Sequence, residues 1–422
     1  MLRLAADKRV IVATWVVTRA IIALVVYWFA SRDVERLQDV NYYLDVAQHL
    51  ASTRTMPDTE MWQYPPGATV VLLAPLVFGA ANYAAAFVGF MLAVDAAITF
   101  LLARFARSTG VVLGVWAWLL GVLAFREYSV LRFDLVPTLF AVAALTWAIR
   151  RPSVFGALAG LGALVKAWPI VVLAAEWRPR RLLVAGVVAL AVFVGGVQLA
   201  GQVFGDQQGA LDNQAERGLQ NEAIAATPWH VEGIRTGEGA PLVYGSGATE
   251  IADPTAERVA DSLRWATVAA ALLLAGWWSA RGVLLRRDPK RRSWLASPAA
   301  GADLVTVGVL LAIATSRVLS PQFMLWLLAV AAISLSFSNT RLRRPLLWAA
   351  LATACTIKVL HFPEVLVVRN VLLAIATVDA TITLFRGLWV RDDVDREVVD
   401  LLDVETAASR DAEHVPDART LA

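Results

Sequence analysis

The chain of 422 residues is short of the side chains that hold metals, disulfides or nucleotides. It has one cysteine, Cys355, inside an apolar run, so disulfides and thiolate metal sites are excluded. Its four histidines show no HExxH or paired spacing, which leaves no sequence case for a dedicated zinc site. No P-loop and no dinucleotide fingerprint occurs, so ATP- or NAD-driven chemistry lacks support. Charge is scarce too. Asp, Glu, Lys and Arg make up 17% against 58% hydrophobic residues, which excludes an ordinary soluble globule and general disorder. The net charge of +3 does not call for a nucleic-acid partner, because the basic residues sit in short clusters between apolar runs.

What is present is a series of such runs. A bilayer crossing takes about 20 apolar residues. The runs 10–30, 82–103, 111–125, 135–149, 154–165, 168–177, 182–203, 265–285, 304–315, 323–337, 346–360 and 365–384 predict an all-α polytopic membrane protein with about twelve spans. The first run is too long for a cleaved signal peptide and reads as a retained span. Residues 67–79 are apolar but too short to cross and read as a re-entrant or interfacial segment. The runs 154–165 and 168–177 are short and together read as a broken pair.

Positive-inside logic sets the orientation. The short segments 1–9, 104–107, 150–151, 178–181, 281–292 and 341–344 hold 19 Lys and Arg, whereas the two large loops 31–66 and 205–262 and their edge hold seven. Both termini are therefore expected in the cytoplasm and both large loops outside a plasma (inner) membrane. The first loop carries an amphipathic stretch, Val40–Leu50. The second is expected to carry a helical stretch near 207–224. Residues 1–390 form the membrane domain and 391–422 a charged cytoplasmic tail. No internal repeat is visible.

Charged groups at membrane depth are costly and usually serve a site. Under this topology the unusual polar residues fall on the outer side: Asp39, Arg126, Glu127, Arg132, Asp134, Lys166, Arg217, Glu222, His230, Arg317, Gln322, His361 and Glu364. Each has a plain structural explanation beside a functional one. Asp39 is an ionised proton acceptor or a solvated loop acid, with Asp33 and Asp45 as rivals. Tyr42 and Tyr43 stack on a sugar or anchor the interface. In WQYPPG (62–67) the prolines fix an extended entry, and Gln63 and Tyr64 are available to line a pocket. Arg132 and Asp134 in RFDLVP form an ion pair, or Arg132 faces an anionic headgroup. Lys166 in GALVKAWP snorkels, or serves a site. Arg217 and Glu222 in ERGLQNE form a helix-surface pair, or Arg217 joins Arg317 in a cationic cluster able to take phosphate.

The order of these pieces resembles the multi-spanning GT-C glycosyltransferases. An Asp early in the first loop is followed by Tyr three and four residues on, then YPP and a short apolar segment. RFDLVP, LVKAWP, ERGLQNE and LSPQFMLWLL (319–328) resemble glycosyltransferase family 87, which includes actinobacterial mannosyltransferases that use polyprenyl-phosphate mannose. The resemblance implies a GT-C fold. It implies transfer of a hexose, mannose first, from a polyprenyl-phosphate sugar to a glycolipid or polysaccharide hydroxyl at the extracytoplasmic face, with inversion. Asp39 is then the general base. Lys166, Arg132, Arg217 and Arg317, with Gln322 and Tyr64 as neutral donors, receive the leaving phosphate. Tyr42, Tyr43, Asp134, Glu222 and His230 contact substrate. The resemblance calls for no cofactor, and a monophosphate that side-chain cations can neutralise needs no obligatory metal. Two other classes fit the composition. One is a transporter or flippase for a lipid-linked or anionic solute, for which an inverted repeat would speak. The other is a different membrane transferase, such as an acyltransferase or polymerase-ligase, for which a carboxylate-backed histidine would speak.

Overall fold

The computed structural model describes residues 7–32, 37–57, 59, 62–205, 217–245, 247–287, 294–356 and 362–390. Asp33, His361 and the tail 391–422 lie outside them.

Among the described residues, five helices are long and apolar enough to cross a membrane: α1 (Lys8–Ala30), α4 (Tyr83–Thr109, entered through a 3-10 turn at Ala80–Asn82), α8 (Pro179–Phe204), α10 (Pro254–Arg287) and α14 (Pro363–Arg386). The seven other expected spans are shorter. They are α5 (Leu113–Phe125), α6 (Leu135–Ala143, continued by a π-turn to Ala148), α7 (Pro152–Val165), a 3-10 segment Trp168–Ala175, α11 (Pro298–Ala314), α12 (Phe323–Leu335) and α13 (Arg343–Thr356). At 1.5 Å per residue, 13 to 17 residues reach only about 20–26 Å, less than the ~30 Å hydrocarbon layer. α11 and α12 are buried over most of their length. Short helices and irregular backbone at membrane depth are tolerated when wrapped in protein in this way. α8 and α10, by contrast, expose Leu183, Val187, Leu190, Leu199, Val268 and Leu272, as lipid-facing helices do.

Local sequence accounts for the breaks. α7 ends at Val165, where Lys166 is extended (φ −157°, ψ 135°), and the chain resumes as a 3-10 segment with Pro169 in its first turn, where a missing N–H costs nothing. The expected broken pair is present, with 3-10 geometry in its second half. The 67–79 segment folds as α3 (Gly67–Leu73) and a 3-10 turn, Ala74–Phe78. Gly67 is needed there, since a Cβ would lie 2.7 Å from the Leu164 carbonyl oxygen. Amphipathic α2 (Gln38–Thr53) buries Val40, Tyr43, Val46, Ala47 and Leu50 on one face.

The second loop departs from expectation. Residues 206–216 lie outside the description, and 217–223 are not helical; Gln220 instead bridges to Glu250. Beyond them come α9 (Thr227–Thr236) and an antiparallel hairpin, β1 (Leu242–Gly245) with β2 (Ala248–Ile251). Gly247 at φ 74° supplies the left-handed turn residue. The loop also ends early. Asp253 accepts the Thr255 amide at 2.6 Å and caps α10, so residues 254–262 are its first turns rather than loop.

Among the described residues, four of the expected inner segments, those around 150, 178, 281 and 341, lie together. Arg181 donates to the Ile149 carbonyl, Arg281 to those of Leu295 and Ser297, and Asp303 accepts the Arg341 amide. Buried charge is not confined to the opposite end, contrary to the sequence reading. Arg19 and Asp95 pair at 2.7 Å between α1 and α4, with Trp15 and Trp118 indoles on the same carboxylate. Asp303 and Arg281 are buried at the basic end. Single charges inside runs such as FMLAVDAAITF are averaged away by hydropathy.

Candidate functional site

The site begins with RFDLVP. α5 stops at Phe125, Arg126 takes a left-handed φ of 52°, and a 3-10 turn leads to Phe133, which is fully buried. Tyr43 and Tyr64 pack edge-on against Phe133 at 5.5 and 4.9 Å. With that ring anchored, its neighbours Arg132 and Asp134 engage different partners.

Asp134 takes Lys166 Nζ at 2.6 Å and the Trp326 indole at 2.8 Å, both on Oδ1. Lys166 lies among ring faces, 5.2 Å from Phe133, 5.3 Å from Trp326, 5.7 Å from Tyr64 and 5.9 Å from Phe323. Trp326 stacks on Phe323 and on Trp168. Because Lys166 occupies the break after α7, its charge is presented from the end of a helix rather than from its lipid face. Arg132 pairs with Asp39 at 2.6 Å. Asp39 lies in the first turn of α2, where the helix dipole favours a carboxylate.

Four charges of alternating sign, Asp39, Arg132, Asp134 and Lys166, therefore share one site. Both of its cations, expected at the donor phosphate, are paired with carboxylates, Arg132 with Asp39 rather than with Asp134, and Lys166 with Asp134. Exposure ranks them. Asp39 and Arg132 are 39% and 25% exposed, Lys166 14% and Asp134 1%. Asp39 and Arg132 are the reachable members, and Asp134 is a closed anchor for Lys166. Burial pushes the Asp39 pKa up from the ordinary carboxylate value; Arg132 pulls it down, Asp134 up and Lys166 down, for a net rise.

The remaining expected residues divide. Tyr64 belongs to the cluster, and burial raises its phenol pKa. Tyr43 is a buried wall residue packed on Phe87 and Phe133, not a stacking platform. Tyr42 packs beside it, with burial pushing its phenol up to about 12. Gln322, buried, sits at the N-cap position of α12 one turn before Trp326. Arg217 lies in electrostatic range of Glu250 and Tyr64. Arg317 donates to the Arg217 carbonyl at 2.9 Å, and Gln220 ties the 317–319 backbone to the loop.

Glu222 and His230 have structural partners instead. The Glu222 carboxylate meets Arg369 at 2.6 Å, not Arg217, which corrects the helix-surface pair. Asn370 donates to the Ala223 carbonyl and to Thr227. His230 Nε2 meets the Asn221 carbonyl at 2.9 Å. Burial raises the Glu222 pKa and lowers that of His230. Asp45 is exposed on α2, away from the Asp39–Arg132 pair.

Sequence reasoning missed Phe133, Phe323, Trp326 and Trp168 as the walls around Lys166, and nothing in an apolar run marks an aromatic as a site residue. It also missed Arg369. There a signal existed, a lone cation inside VLVVRNVLLA. Among the described residues, no group of three or more His, Cys, Asp or Glu lies together as metal ligands.

The profile of glycosyltransferase family 87 matches residues 62–297. That stretch contains Tyr64, Arg132, Asp134, Lys166, Arg217, Glu222 and His230; Asp39 lies before it, and Arg317, Gln322 and Trp326 after it. No curated protein and no solved structure matches the chain.

Proposed function

The chain belongs to glycosyltransferase family 87, and from that premise we propose that this membrane glycosyltransferase moves a hexose from a polyprenyl-phosphate donor to an acceptor hydroxyl of a glycolipid or polysaccharide. Mannose is the first donor sugar to test. The reading includes a GT-C fold of about twelve spans in the plasma membrane with both termini inside. The gathering of basic segments at one end supports placing the charge quartet at the extracytoplasmic end.

The observation that carries the reading is the reachable Asp39–Arg132 pair beside the enclosed Lys166–Asp134 pair. Asp39 accepts the proton of the acceptor hydroxyl as that oxygen attacks the anomeric carbon. The bond from that carbon to the phosphate oxygen breaks on the opposite face, and its electron pair leaves with polyprenyl phosphate. Inversion follows. Arg132 and Lys166 face the developing phosphate charge, with Arg217, Arg317, Gln322 and Tyr64 as outer donors. An arriving phosphate competes with Asp39 for Arg132. Drawing the guanidinium away removes the partner that lowers the Asp39 pKa, so donor binding strengthens the base.

The test is transfer by purified protein across a panel of polyprenyl-phosphate sugars, with Asp39→Asn beside it. One sugar should be transferred with inversion, and the variant should bind that donor but turn it over at least about 10²-fold more slowly. Full turnover by Asp39→Asn would remove Asp39 from the chemistry. Transport of the donor without transfer would replace the enzyme by a carrier.

A further inference from the structure

At the basic end, Arg281 of α10 is a buried cation that hydrogen-bonds no carboxylate among the described residues. Its side chain is 1% exposed. Nε donates to the Leu295 carbonyl at 2.8 Å and Nη2 to the Ser297 carbonyl at 3.0 Å, both neutral acceptors. Nη1 is buried and has no hydrogen-bond partner among the described residues. A guanidinium so enclosed is expected to find an anion, because a buried charge is otherwise left uncompensated.

The neighbouring charges do not supply one. Those that bear on Arg281 are Glu176 and Arg178. Glu176 meets Arg181 at 3.1 Å and accepts the Arg178 amide at 3.0 Å. Arg178 and Arg281 both lie over the Trp177 ring, at 5.2 and 5.9 Å. The Arg181 and Arg281 guanidinium groups thus draw on one carboxylate that also takes the Arg178 amide, and the Arg178 and Arg281 side chains border the same indole. Arg178 also sits at the N-cap position of the 26-residue helix α8, whose N-terminus adds positive potential.

The surroundings specify the kind of anion. Trp177, Trp277, Trp278 and Trp294 gather here, a composition typical of the headgroup level of a bilayer. The Trp278 indole donates to the Glu176 carbonyl and so joins α10 to the segment that opens α8. Immediately beyond Arg178, Leu183, Val184 and Val187 of α8 are exposed, a surface for an acyl chain.

We propose that Arg281 and Arg178, around Trp177, bind the phosphate of an anionic phospholipid at the basic end of the bundle. The phosphodiester oxygens accept Arg281 Nη1 and the Arg178 fork, and the acyl chains lie along α8. This site is independent of the charge quartet and of the proposed transfer.

The test is thermal unfolding of the full chain in neutral detergent, titrated with phosphatidylglycerol, phosphatidylcholine or inorganic phosphate. Phosphatidylglycerol should raise Tm, and the other two should not. Arg178→Gln, an exposed position, should weaken half-saturation by phosphatidylglycerol about tenfold, the loss of one charge-assisted contact. Arg343→Gln, an exposed basic-end change outside the cluster, should leave it unaltered. Arg281→Lys, which keeps the charge but loses the fork, should also weaken it. Equal stabilisation by phosphatidylcholine or by inorganic phosphate would overturn the lipid assignment. So would an unchanged titration in Arg178→Gln, or an equal loss in Arg343→Gln.

Discussion

Opposing influences meet on the Asp39 carboxyl: burial raises its pKa, Arg132 lowers it, and burial prevails. The protonated form cannot accept a proton, so activity should fall as the pH drops through this raised value. The acid limb of kcat/KM should therefore lie above the ordinary carboxylate pKa of about 3.9. Arg132→Gln removes the influence that lowers it, and the limb should move to higher pH as well as donor KM rising. A limb that stays in place would disconnect Asp39 from Arg132. Asp134 is a positioning residue rather than a catalytic one. Asp134→Asn leaves Lys166 enclosed without a counter-charge and should cost about 3–5 kcal/mol of stability. The double change Asp134→Asn with Lys166→Met should recover most of that loss in unfolding measurements while donor KM stays high. No recovery would mean that Asp134 supports the fold through Trp326 alone.

At the scale of elements, the second loop is held to α14 by two adjacent residues, Arg369 and Asn370, which reach Glu222, Ala223 and Thr227. Arg369→Met should release it. Limited proteolysis should then cut within 217–251 several-fold faster, while long helices such as α1 and α4 remain protected. Unchanged cleavage would show that the hairpin alone secures the loop. His230 adds a pH dependence. Burial lowers its pKa below the unfolded value of about 6.5. The stability it contributes is therefore present above that value and lost as pH falls from it toward the folded value. Loop cleavage should rise below about pH 6, and His230→Phe should flatten that rise.

At the scale of the whole molecule, long helices such as α8 and α10 expose apolar faces, and the shorter α11 and α12 are buried between other elements. The basic segments lie at one end and the charge quartet is built from other connections. Labelling tests the orientation drawn from this. In a Cys355→Ser background, Arg235→Cys on α9 should react with an impermeant thiol reagent on intact cells. Arg343→Cys should react only after lysis. The reverse pattern would place the quartet on the cytoplasmic side.

Membrane class, the positions of the apolar runs, the amphipathic α2 and the clustering of basic segments were all legible in the sequence, because each depends on local composition and period. So was the broken helix around Lys166, since proline and a lone cation are local signals. Which charge meets which was not. Arg132 chose Asp39 over its neighbour Asp134, Glu222 chose Arg369 over Arg217, and Lys166 acquired its aromatic walls from the segments that precede α3 and α6 and from α12. Such pairings join residues up to 192 positions apart, as Trp326 and Asp134 are, and depend on helix packing that no local window contains. Packing also left Arg281 with no carboxylate hydrogen-bonded to it among the described residues, which is invisible in a basic run that hydropathy alone reads as a topology signal.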